Sequence, residues 1–266
     1  MIIDGKKLAA QVERSVVQEL DGKKLTLAIV CVGNDLISLR YINKKKEMGA
    51  RLGVSVLLHV FDAMISEGEL IREIQGIVGD KNVDGVIVQL PLPRHISMEK
   101  ITGLIPPEKD VDALGTHPRV FPPVVGAVRE ICNEYGISLK DKNIVVVGKG
   151  KLVGKPAAAW ARKEGAQVEV VDRSTQDPIS LFKRADVIIS GAGVPSLITP
   201  EKIKEGVLLF DAATSEMSGK LVGDINSACV EKAGLYTPVP GGIGPLTVVL
   251  LFKNLVELSN MNPDSM

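Results

Sequence analysis

The chain has 266 residues, of which 45% are hydrophobic and 24% charged, and its 32 basic side chains equal its 32 acidic ones in number. This composition is typical of globular proteins and excludes disorder as the main state. A net charge of zero gives neither nucleic acid nor an anionic membrane surface an electrostatic reason to bind, so we expect neither as a partner.

The apolar runs, the first ten residues and the positions of the cysteines and histidines bear on membrane insertion, targeting, disulfides and metal binding. The longest apolar run, residues 25–32, is far shorter than the roughly 18 to 20 residues of a membrane helix. The opening MIIDGKKLAA resembles neither a secretory signal nor a transit peptide, and we therefore expect a cytoplasmic chain. The three cysteines and three histidines are scattered, which predicts neither a disulfide framework nor a metal site.

Short β-branched runs and helical patterns alternate along the chain. The runs predict strands at residues 25–32, 54–60, 85–90, 143–148, 167–171, 186–190 and 206–211. Most are apolar on both faces, as in a parallel sheet that is covered on both sides. Apolar residues at helical spacing predict helices at residues 8–20, 38–52, 68–78, 124–136, 153–165 and 245–258. The alternation predicts the α/β fold class.

A stretch rich in proline and glycine, residues 106–126, separates two series of strands and helices and predicts a domain junction. The sequence thus predicts one α/β domain in residues 1–120 and a second in residues 121–245. The C-terminal helix, residues 246–266, is expected to pack back on the first domain.

The second domain carries a glycine-rich turn between a strand and a helix. Strand 143–148 runs into GKGKLVGKP, so Gly148, Gly150 and Gly154 fall where backbone amides at a helix N-terminus can approach a pyrophosphate. Such glycines also occur in plain tight turns, but the flanking strand and helix favour a Rossmann-type nucleotide-binding domain. Gly191 and Gly193 follow another strand, where a nicotinamide or its ribose could lie against bare backbone, although a turn without a ligand is the alternative.

The residues after the second strand leave the cofactor open. Asp172 lies 24 residues after Gly148, near the spacing at which a carboxylate holds the ribose 2′-hydroxyl of NAD. Arg173 and Ser174 follow it, and Lys149 lies in the glycine-rich loop, a set that could instead bind the 2′-phosphate of NADP. A solvated strand end is the third possibility.

The helix predicted at residues 38–52 carries a candidate for acid/base chemistry. Tyr41, Lys45 and Met48 share one face, whereas Lys44 and Lys46 lie about 100° to either side of Lys45. A half-apolar face desolvates Lys45 in part and favours its neutral amine. A solvated lysine run is the alternative. Short-chain dehydrogenases also carry Tyr four residues before Lys, but after the nucleotide loop and not before it as here.

Five segments together resemble one family. They are YINKKK (41–46), VQLPLP (88–93), PPEKDVDALG (106–115), GKGKLVGKP (148–156) and TPVPGGIGPLT (237–247). In this order they are similar to the bifunctional methylenetetrahydrofolate dehydrogenase/cyclohydrolase family, and the match covers nearly the whole chain. The resemblance implies a folate-binding catalytic domain in residues 1–120, tetrahydrofolate derivatives as ligands and a homodimer. It also implies NADP as the cofactor, with NAD possible because of Asp172.

The resemblance implies roles for single residues. Lys45 would activate water or handle the proton at the one-carbon bridge, Gln89 would hydrogen-bond Lys45, and Tyr41 would stack on the folate and help to fix Lys45. Asp112 would accept hydrogen bonds from the pterin, although it and Asp110 could also be turn acids. Substrate contacts are implied at Tyr41, Asp112, Pro240, Gly241 and Gly242. Cofactor contacts are implied at Gly148, Lys149, Gly150, Leu152, Val153, Gly154, Asp172, Arg173, Ser174, Gly191, Gly193 and Thr247.

The chain also departs from the family pattern. FPPVVGAV (121–128) replaces a PCTP-type motif, and DAATSEM (211–217) replaces a DVGxN segment. Lys149-Gly150 and Asp172-Arg173 replace the usual Arg-Ser and His-Ser pairs, which affects the preference for one cofactor over the other. Two other functions remain as alternatives: a dehydrogenase of another small molecule, and a nucleotide-binding protein without catalysis.

Overall fold

The computed structural model describes residues 1–217 and 219–261, and the chain divides into two compact units. A three-stranded unit comprises Gln11–Pro123 and the C-terminal segment from Val248 onward. A five-stranded unit comprises Met1–Ala10 and Val124–Thr247. The first ten residues thus differ from the sequence-based boundary, because the amide of Ile3 donates to the carbonyl of Tyr236 at 2.9 Å within the five-stranded unit. That sheet fixes the start of the chain by backbone pairing, which leaves no mark on hydrophobic periodicity.

Helices and strands alternate through both units, and the predicted α/β class is confirmed. The helices are α1 (Gly5–Leu20), α2 (Leu36–Leu52), α3 (Glu67–Gly79), α4 (Met98–Thr102), α5 (Pro123–Glu134), α6 (Gly154–Lys163), α7 (Pro178–Arg184) and α8 (Ile243–Met261). The strands are β1 (Thr26–Val32), β2 (Ser55–Phe61), β3 (Gly85–Val88), β4 (Asn143–Val147), β5 (Gln167–Val171), β6 (Val187–Ser190), β7 (Leu208–Asp211), β8 (Ser215–Met217), β9 (Lys220–Val222) and β10 (Leu235–Tyr236). The elements that the sequence did not predict, α4, α7 and β8 to β10, are too short to show a period.

The three-stranded unit has a parallel sheet in the order β2-β1-β3. Its central strand β1 is buried along almost its whole length, which explains the continuous apolar run in the sequence. The next helix, α2, begins at the cap residue Asp35, whose carboxylate accepts the Ser38 amide at 2.8 Å, and ends at Gly53 with a left-handed φ of 73°. These caps fix where α2 starts and ends, and therefore which of its side chains face inward.

Helix α8 lies against the three-stranded sheet over its later residues. A Cβ at Gly85 would come within 2.6 Å of the Leu255 side chain, so only glycine allows this close approach. Asn254 is buried, and its amide group donates to the carbonyls of Val111 and Phe121 at 2.8 Å each. Residues 262–266 of the predicted C-terminal helix lie outside the described residues.

The five-stranded unit has a parallel sheet in the order β10-β7-β6-β4-β5. Chain order therefore starts at β4 in the sheet, moves outward to β5, and crosses back to β6 on the other side of β4. This is the doubly wound arrangement, in which ligands bind at the carboxyl ends of the strands where the order reverses. In this unit the reversal lies between β4 and β6, the two strands that Gly148 and Gly191 directly follow.

Three further features bear on function. All three cysteines are buried free thiols. Within residues 1–217 and 219–261, no helix combines the length and apolarity needed to cross a membrane. In the same described residues, no cluster of three or more His, Cys, Asp and Glu side chains is arranged to hold a metal ion.

Candidate active site

Lys45 and Gln89 meet in the three-stranded unit. Lys45 extends from α2, and Gln89 directly follows β3, where the carboxyl end of a parallel strand presents its side chains. The Lys45 Nζ donates a hydrogen bond of 2.9 Å to Gln89 Oε1. The amide nitrogen of Gln89 donates to the Leu90 carbonyl at 2.9 Å, which turns the oxygen of the amide toward Lys45. Gln89 is therefore held in the one orientation that accepts from the lysine.

Lys45 and Asp112 influence one another electrostatically. Burial lowers the pKa of the Lys45 ammonium below its ordinary value, and the negative charge of Asp112 opposes that effect. Burial likewise raises the pKa of the Asp112 carboxyl, against the stabilising charge of Lys45. Each group is thus less ionised than it would be in water. A lysine with a lowered pKa gives up its proton more readily than an exposed lysine does.

The two lysines next to Lys45 have other surroundings. Lys44 and Lys46 are exposed, while Lys45 and Tyr41 are half-buried, as the helical spacing predicts. The ammonium over the Tyr41 ring belongs to Lys44, whose Nζ lies 5.3 Å from the ring centroid. That Tyr41 helps to fix Lys45 stays a prediction. On a helix, residues three apart are neighbours, so Lys44 reaches the ring of Tyr41.

The two acids of KDVD have different environments. Asp110 is 1% exposed, and its carboxylate accepts the amides of Gly115 at 2.7 Å and Leu114 at 3.3 Å. Burial raises the pKa of the Asp110 carboxyl, and these backbone hydrogen bonds act in the opposite direction. Asp110 is thus a turn acid. Asp112 is half-buried and has Lys45 as its charged neighbour.

In the five-stranded unit, three glycines pack directly on one another after β4 and β6. A Cβ at Gly154 would lie 2.0 Å from the carbonyl oxygen of Gly148. Gly148 itself has a left-handed φ of 103°, and a Cβ at Gly191 would lie 2.5 Å from the side chain of Val153. Larger residues at these three positions would force the loops apart. These glycines therefore set the close approach of the two loops.

Gly150 and Gly193 differ from the three packed glycines. At either position an added Cβ would have no atom within 4 Å, so both face open space. Two large apolar side chains in the same loops, Leu152 and Val194, are 47% and 39% exposed. Bare backbone beside exposed apolar side chains, at the carboxyl ends of β4 and β6, fits a nicotinamide dinucleotide.

Asp172 follows β5 and already has partners within the protein. Its carboxylate forms an ion pair with Lys149 and accepts the Ser174 amide at 2.9 Å and the Ser174 hydroxyl at 2.6 Å. The ion pair with Lys149, followed by these hydrogen bonds, lowers the pKa of the Asp172 carboxyl below its ordinary range. Arg173 is exposed beside them. The structure thus brings Lys149, Asp172 and Ser174 together.

The loop at Pro240 to Gly242 lies against the start of α1. The Gly5 amide donates to the Gly241 carbonyl at 2.9 Å, and a Cβ at Gly5 would overlap the Gly242 carbonyl at 1.7 Å. Pro240 is exposed. Gly5 is therefore a positioning residue of this loop that the sequence did not reveal. Thr247 lies in the first turn of α8, and its hydroxyl donates to the Gly244 carbonyl at 2.8 Å.

Two buried acids of the five-stranded unit were also not predicted from the sequence. Asp211 and Asp224 are 1% and 0% exposed. Asp211 ends a strand that the sequence did show, and an acid at the carboxyl end of a buried strand was a usable signal. No local pattern in the sequence marked Asp224, because the residues that hydrogen-bond to its side chain lie about 30 residues earlier in the chain.

Comparison with known proteins gives the same family for both parts of the chain. Residues 3–112 match a family described as tetrahydrofolate dehydrogenase/cyclohydrolase, catalytic domain, and residues 122–262 match its NAD(P)-binding domain. The bifunctional protein FolD of Hydrogenobaculum sp. is 38% identical over 272 residues, which cover 96% of this chain and 97% of that protein.

Two solved structures extend the match to the fold. The FolD methylenetetrahydrofolate dehydrogenase/cyclohydrolase of Campylobacter jejuni superposes with a TM-score of 0.94 at 30% identity, over 98% of this chain and 99% of that one. The corresponding Trypanosoma brucei enzyme, solved with NADP and an inhibitor, superposes with a TM-score of 0.92 at 29% identity, over 98% and 97%.

Proposed function

The chain belongs to the tetrahydrofolate dehydrogenase/cyclohydrolase family, and we propose that Lys45, Gln89 and Asp112 form the folate site at which it performs both reactions. It oxidises 5,10-methylenetetrahydrofolate to 5,10-methenyltetrahydrofolate and hydrolyses the product to 10-formyltetrahydrofolate. The observation that carries the site assignment is the hydrogen bond from the half-buried Lys45 to Gln89, in the field of the Asp112 carboxylate.

In the hydrolytic step, Lys45 handles the proton of the attacking water. Its lowered pKa increases the fraction of neutral amine, which accepts one proton of the water as the water oxygen bonds to the one-carbon unit. That proton then passes to the folate nitrogen N5, and the bond from N5 to the one-carbon unit breaks. As it breaks, the remaining hydroxyl proton is released to water, the formyl C=O forms, and the formyl group stays on N10. Gln89 keeps Nζ pointed at the reacting carbon throughout, since its own amide is fixed by Leu90.

Asp112 and Tyr41 position the substrate. A carboxylate has only acceptors, so Asp112 suits the amino and ring N–H groups of a pterin. Tyr41 offers a ring for stacking on the folate, and Lys44 already covers part of that ring. Pro240, Gly241 and Gly242 supply a further substrate contact on a loop held by Gly5.

For the oxidation, a bound nicotinamide dinucleotide supplies the hydride acceptor. The residues proposed to hold it are Gly148, Lys149, Gly150, Leu152, Val153, Gly154, Asp172, Arg173, Ser174, Gly191, Gly193 and Thr247. Orientation is the main requirement of this step, because no side chain must form a covalent bond to the substrate. The open faces at Gly150 and Gly193 leave the room that such a ligand requires.

NADP is the proposed cofactor. Two features support it. The positive charges of Lys149 and Arg173 lie beside the end of β5, and the Asp172 carboxylate is already held by Lys149 and Ser174 instead of facing a ribose. A 2′-phosphate could draw Lys149 away from Asp172. NAD is the competing cofactor, because an Asp172 freed from Lys149 would hold the 2′-hydroxyl.

One assay tests the activity and the cofactor together. Purified protein is mixed with 5,10-methylenetetrahydrofolate and either NADP or NAD, and reduced cofactor and methenyl absorbance are followed separately. Reduction of NADP with little methenyl accumulation is expected. Reduction with accumulating methenyl would contradict an efficient hydrolytic step, and a higher kcat/KM with NAD would overturn the cofactor assignment.

The proposed homodimer uses the free edge of the three-stranded sheet. Strand β2 is an edge strand that pairs with β1. Leu57 and Val60 on it point to opposite faces of the sheet and are 45% and 56% exposed, so a second strand paired along this edge would cover part of both. Light scattering should give the mass of a dimer for the wild type and of a monomer for Val60→Lys. A monomeric wild type would overturn this part of the proposal.

A further inference from the structure

The side chain of Asp224 collects the amides of the turn that follows β6. Its Oδ2 accepts the hydroxyl of Ser190 at 2.6 Å and the amide of Ala192 at 2.7 Å, and the amide of Gly193 lies at 3.3 Å. Its Oδ1 accepts the amide of Val194 at 2.6 Å. The carboxylate is fully buried. Three successive backbone amides and one hydroxyl are thus directed at a single side chain.

This arrangement determines what the turn offers to a ligand. Amides directed at Asp224 are not available to a phosphate, so a ligand meets the bare Cα of Gly193 and the exposed Val194 side chain. Such a surface suits a neutral group and offers no amide to an anion. The carboxamide and ribose hydroxyls of a nicotinamide riboside have that chemistry, and the pyrophosphate and adenosine phosphates do not.

A second acid holds Asp224 in place. The Asp211 carboxylate accepts the backbone amides of Asp224 at 3.2 Å, Ile225 at 2.8 Å and Ala213 at 3.1 Å. A Cβ at Gly223 would lie 2.1 Å from Asp211 Oδ2, so glycine is required for the chain to pass this close. The backbone that carries Asp224 is therefore fixed independently of the turn that Asp224 organises.

We propose that Asp224 is a positioning residue that shapes the turn at residues 191–194 to receive the nicotinamide end of the cofactor. The inference rests on the proposed function, because it takes the dinucleotide to lie across this turn. It separates the two ends of the cofactor: the adenosine end is bound near Lys149 and Asp172, and the nicotinamide end depends on Asp224. Asp224 touches no reacting atom and acts through the backbone of the turn.

The test compares a whole dinucleotide with its adenosine half. Titration calorimetry measures NADP and adenosine 2′,5′-bisphosphate, or NAD and AMP if the wild type prefers NAD, on the wild type and Asp224→Asn. An amide can accept at only one of its two atoms, so part of the turn loses its acceptor. The dinucleotide should bind about tenfold more weakly and the adenosine half should change less than about twofold.

Asp186→Asn is the matched control for general loosening of the unit. Asp186 precedes the same strand β6, accepts the Asn143 amide at 2.8 Å and the Lys204 ammonium at 2.6 Å, and has no contact with the turn. This variant should lower the melting temperature while leaving both ligands within about twofold of the wild type. Hydrolysis of the methenyl compound, which uses no dinucleotide, should be unchanged in Asp186→Asn.

Equal weakening of the dinucleotide and its half in Asp224→Asn would show a merely structural role and overturn the inference, as would no change in either. If Asp224→Asn does not fold, Ser190→Ala removes only the hydroxyl donor, and about threefold weaker binding confined to the dinucleotide is expected. A wild type that neither reduces a dinucleotide nor binds one would overturn the proposed function itself, whereas an active wild type with an indifferent Asp224→Asn overturns this inference alone.

Discussion

The surroundings of Lys45 and of Asp224 use buried charge in opposite ways. Lys45 has one side-chain hydrogen bond and one neighbouring acid, and burial shifts the pKa values of both charged groups. Asp224 is saturated by one hydroxyl and the amides of the turn. The first group retains capacity for a proton or a substrate, and the second has none left. A buried charge with few partners can still exchange a proton or bind a substrate. A buried charge whose hydrogen bonds are all made instead holds the surrounding backbone in one conformation.

The largest predicted effect is the loss of methenyl hydrolysis when Lys45 is replaced. Lys45→Met should lower methenyl hydrolysis by about a thousandfold, because the group that handles the proton is gone. Dinucleotide binding by calorimetry should stay near the wild-type value. Lys46→Met, the same substitution at the exposed neighbour, is the control and should retain full hydrolysis. Unchanged hydrolysis in Lys45→Met would overturn the assignment of Lys45.

In the five-stranded unit, the packed Gly154 and the open Gly150 should respond differently to substitution by alanine. Gly154→Ala places a Cβ 2.0 Å from a backbone oxygen, so it should destabilise the protein by roughly 1–3 kcal/mol and lower its melting temperature. Gly150→Ala meets open space and should leave the melting temperature unchanged while weakening dinucleotide binding. Thermal unfolding and calorimetry separate the two. Full dinucleotide affinity in Gly150→Ala would mean that no ligand approaches there.

Asp172 tests whether a surface carboxylate chooses the cofactor. Asp172→Ala frees Lys149 and removes a negative charge beside the proposed 2′-phosphate, so the ratio of kcat/KM for NADP to that for NAD should rise about tenfold. Asp177→Ala is the control, since Asp177 caps α7 through the Ser180 amide in the same region. If the ratio stays constant in Asp172→Ala, the Asp172 carboxylate has no part in the choice between NADP and NAD.

The smallest expected effect concerns the acid behind Asp224. Burial, with a further contribution from Asp224, raises the pKa of Asp211 to about 6, against its backbone hydrogen bonds. The folded state then holds a proton between pH 4 and 6 that the unfolded state releases, so Asp211 favours folding as pH falls and this contribution is lost as pH rises through 6. From pH 7 to pH 5 it amounts to about 1 kcal/mol.

Thermal unfolding of the wild type and Asp211→Asn across this range measures that contribution. The difference in melting temperature between the two proteins should change by about 2–4 °C between pH 5 and pH 7. Carboxylates with lowered pKa values, such as Asp172 and Asp186, are ionised throughout this window and do not contribute to the difference. A difference that does not vary with pH would mean that Asp211 titrates elsewhere.

Much of the fold and part of the site could be predicted from local pattern. Short β-branched runs predicted seven of the strands. Most of these runs are apolar on both faces, because the inner strands of a covered parallel sheet are buried on both faces. Helical spacing separated Lys45 from the exposed Lys44 and Lys46, because a period of 3.6 residues is written in the sequence. The glycine-rich turn likewise lies between a strand and a helix that the sequence both predicted.

Other features depend on residues far apart in the chain, and only the tertiary structure determined them. The pairing of Ile3 with Tyr236, the overlap that makes Gly5 necessary, and the hydrogen bonds of Asp224 each join segments that no local period connects. The same limit applies to charge. Sequence shows that Lys45 and Asp112 are ionisable, but the direction of each pKa shift depends on burial and on the neighbour that folding supplies.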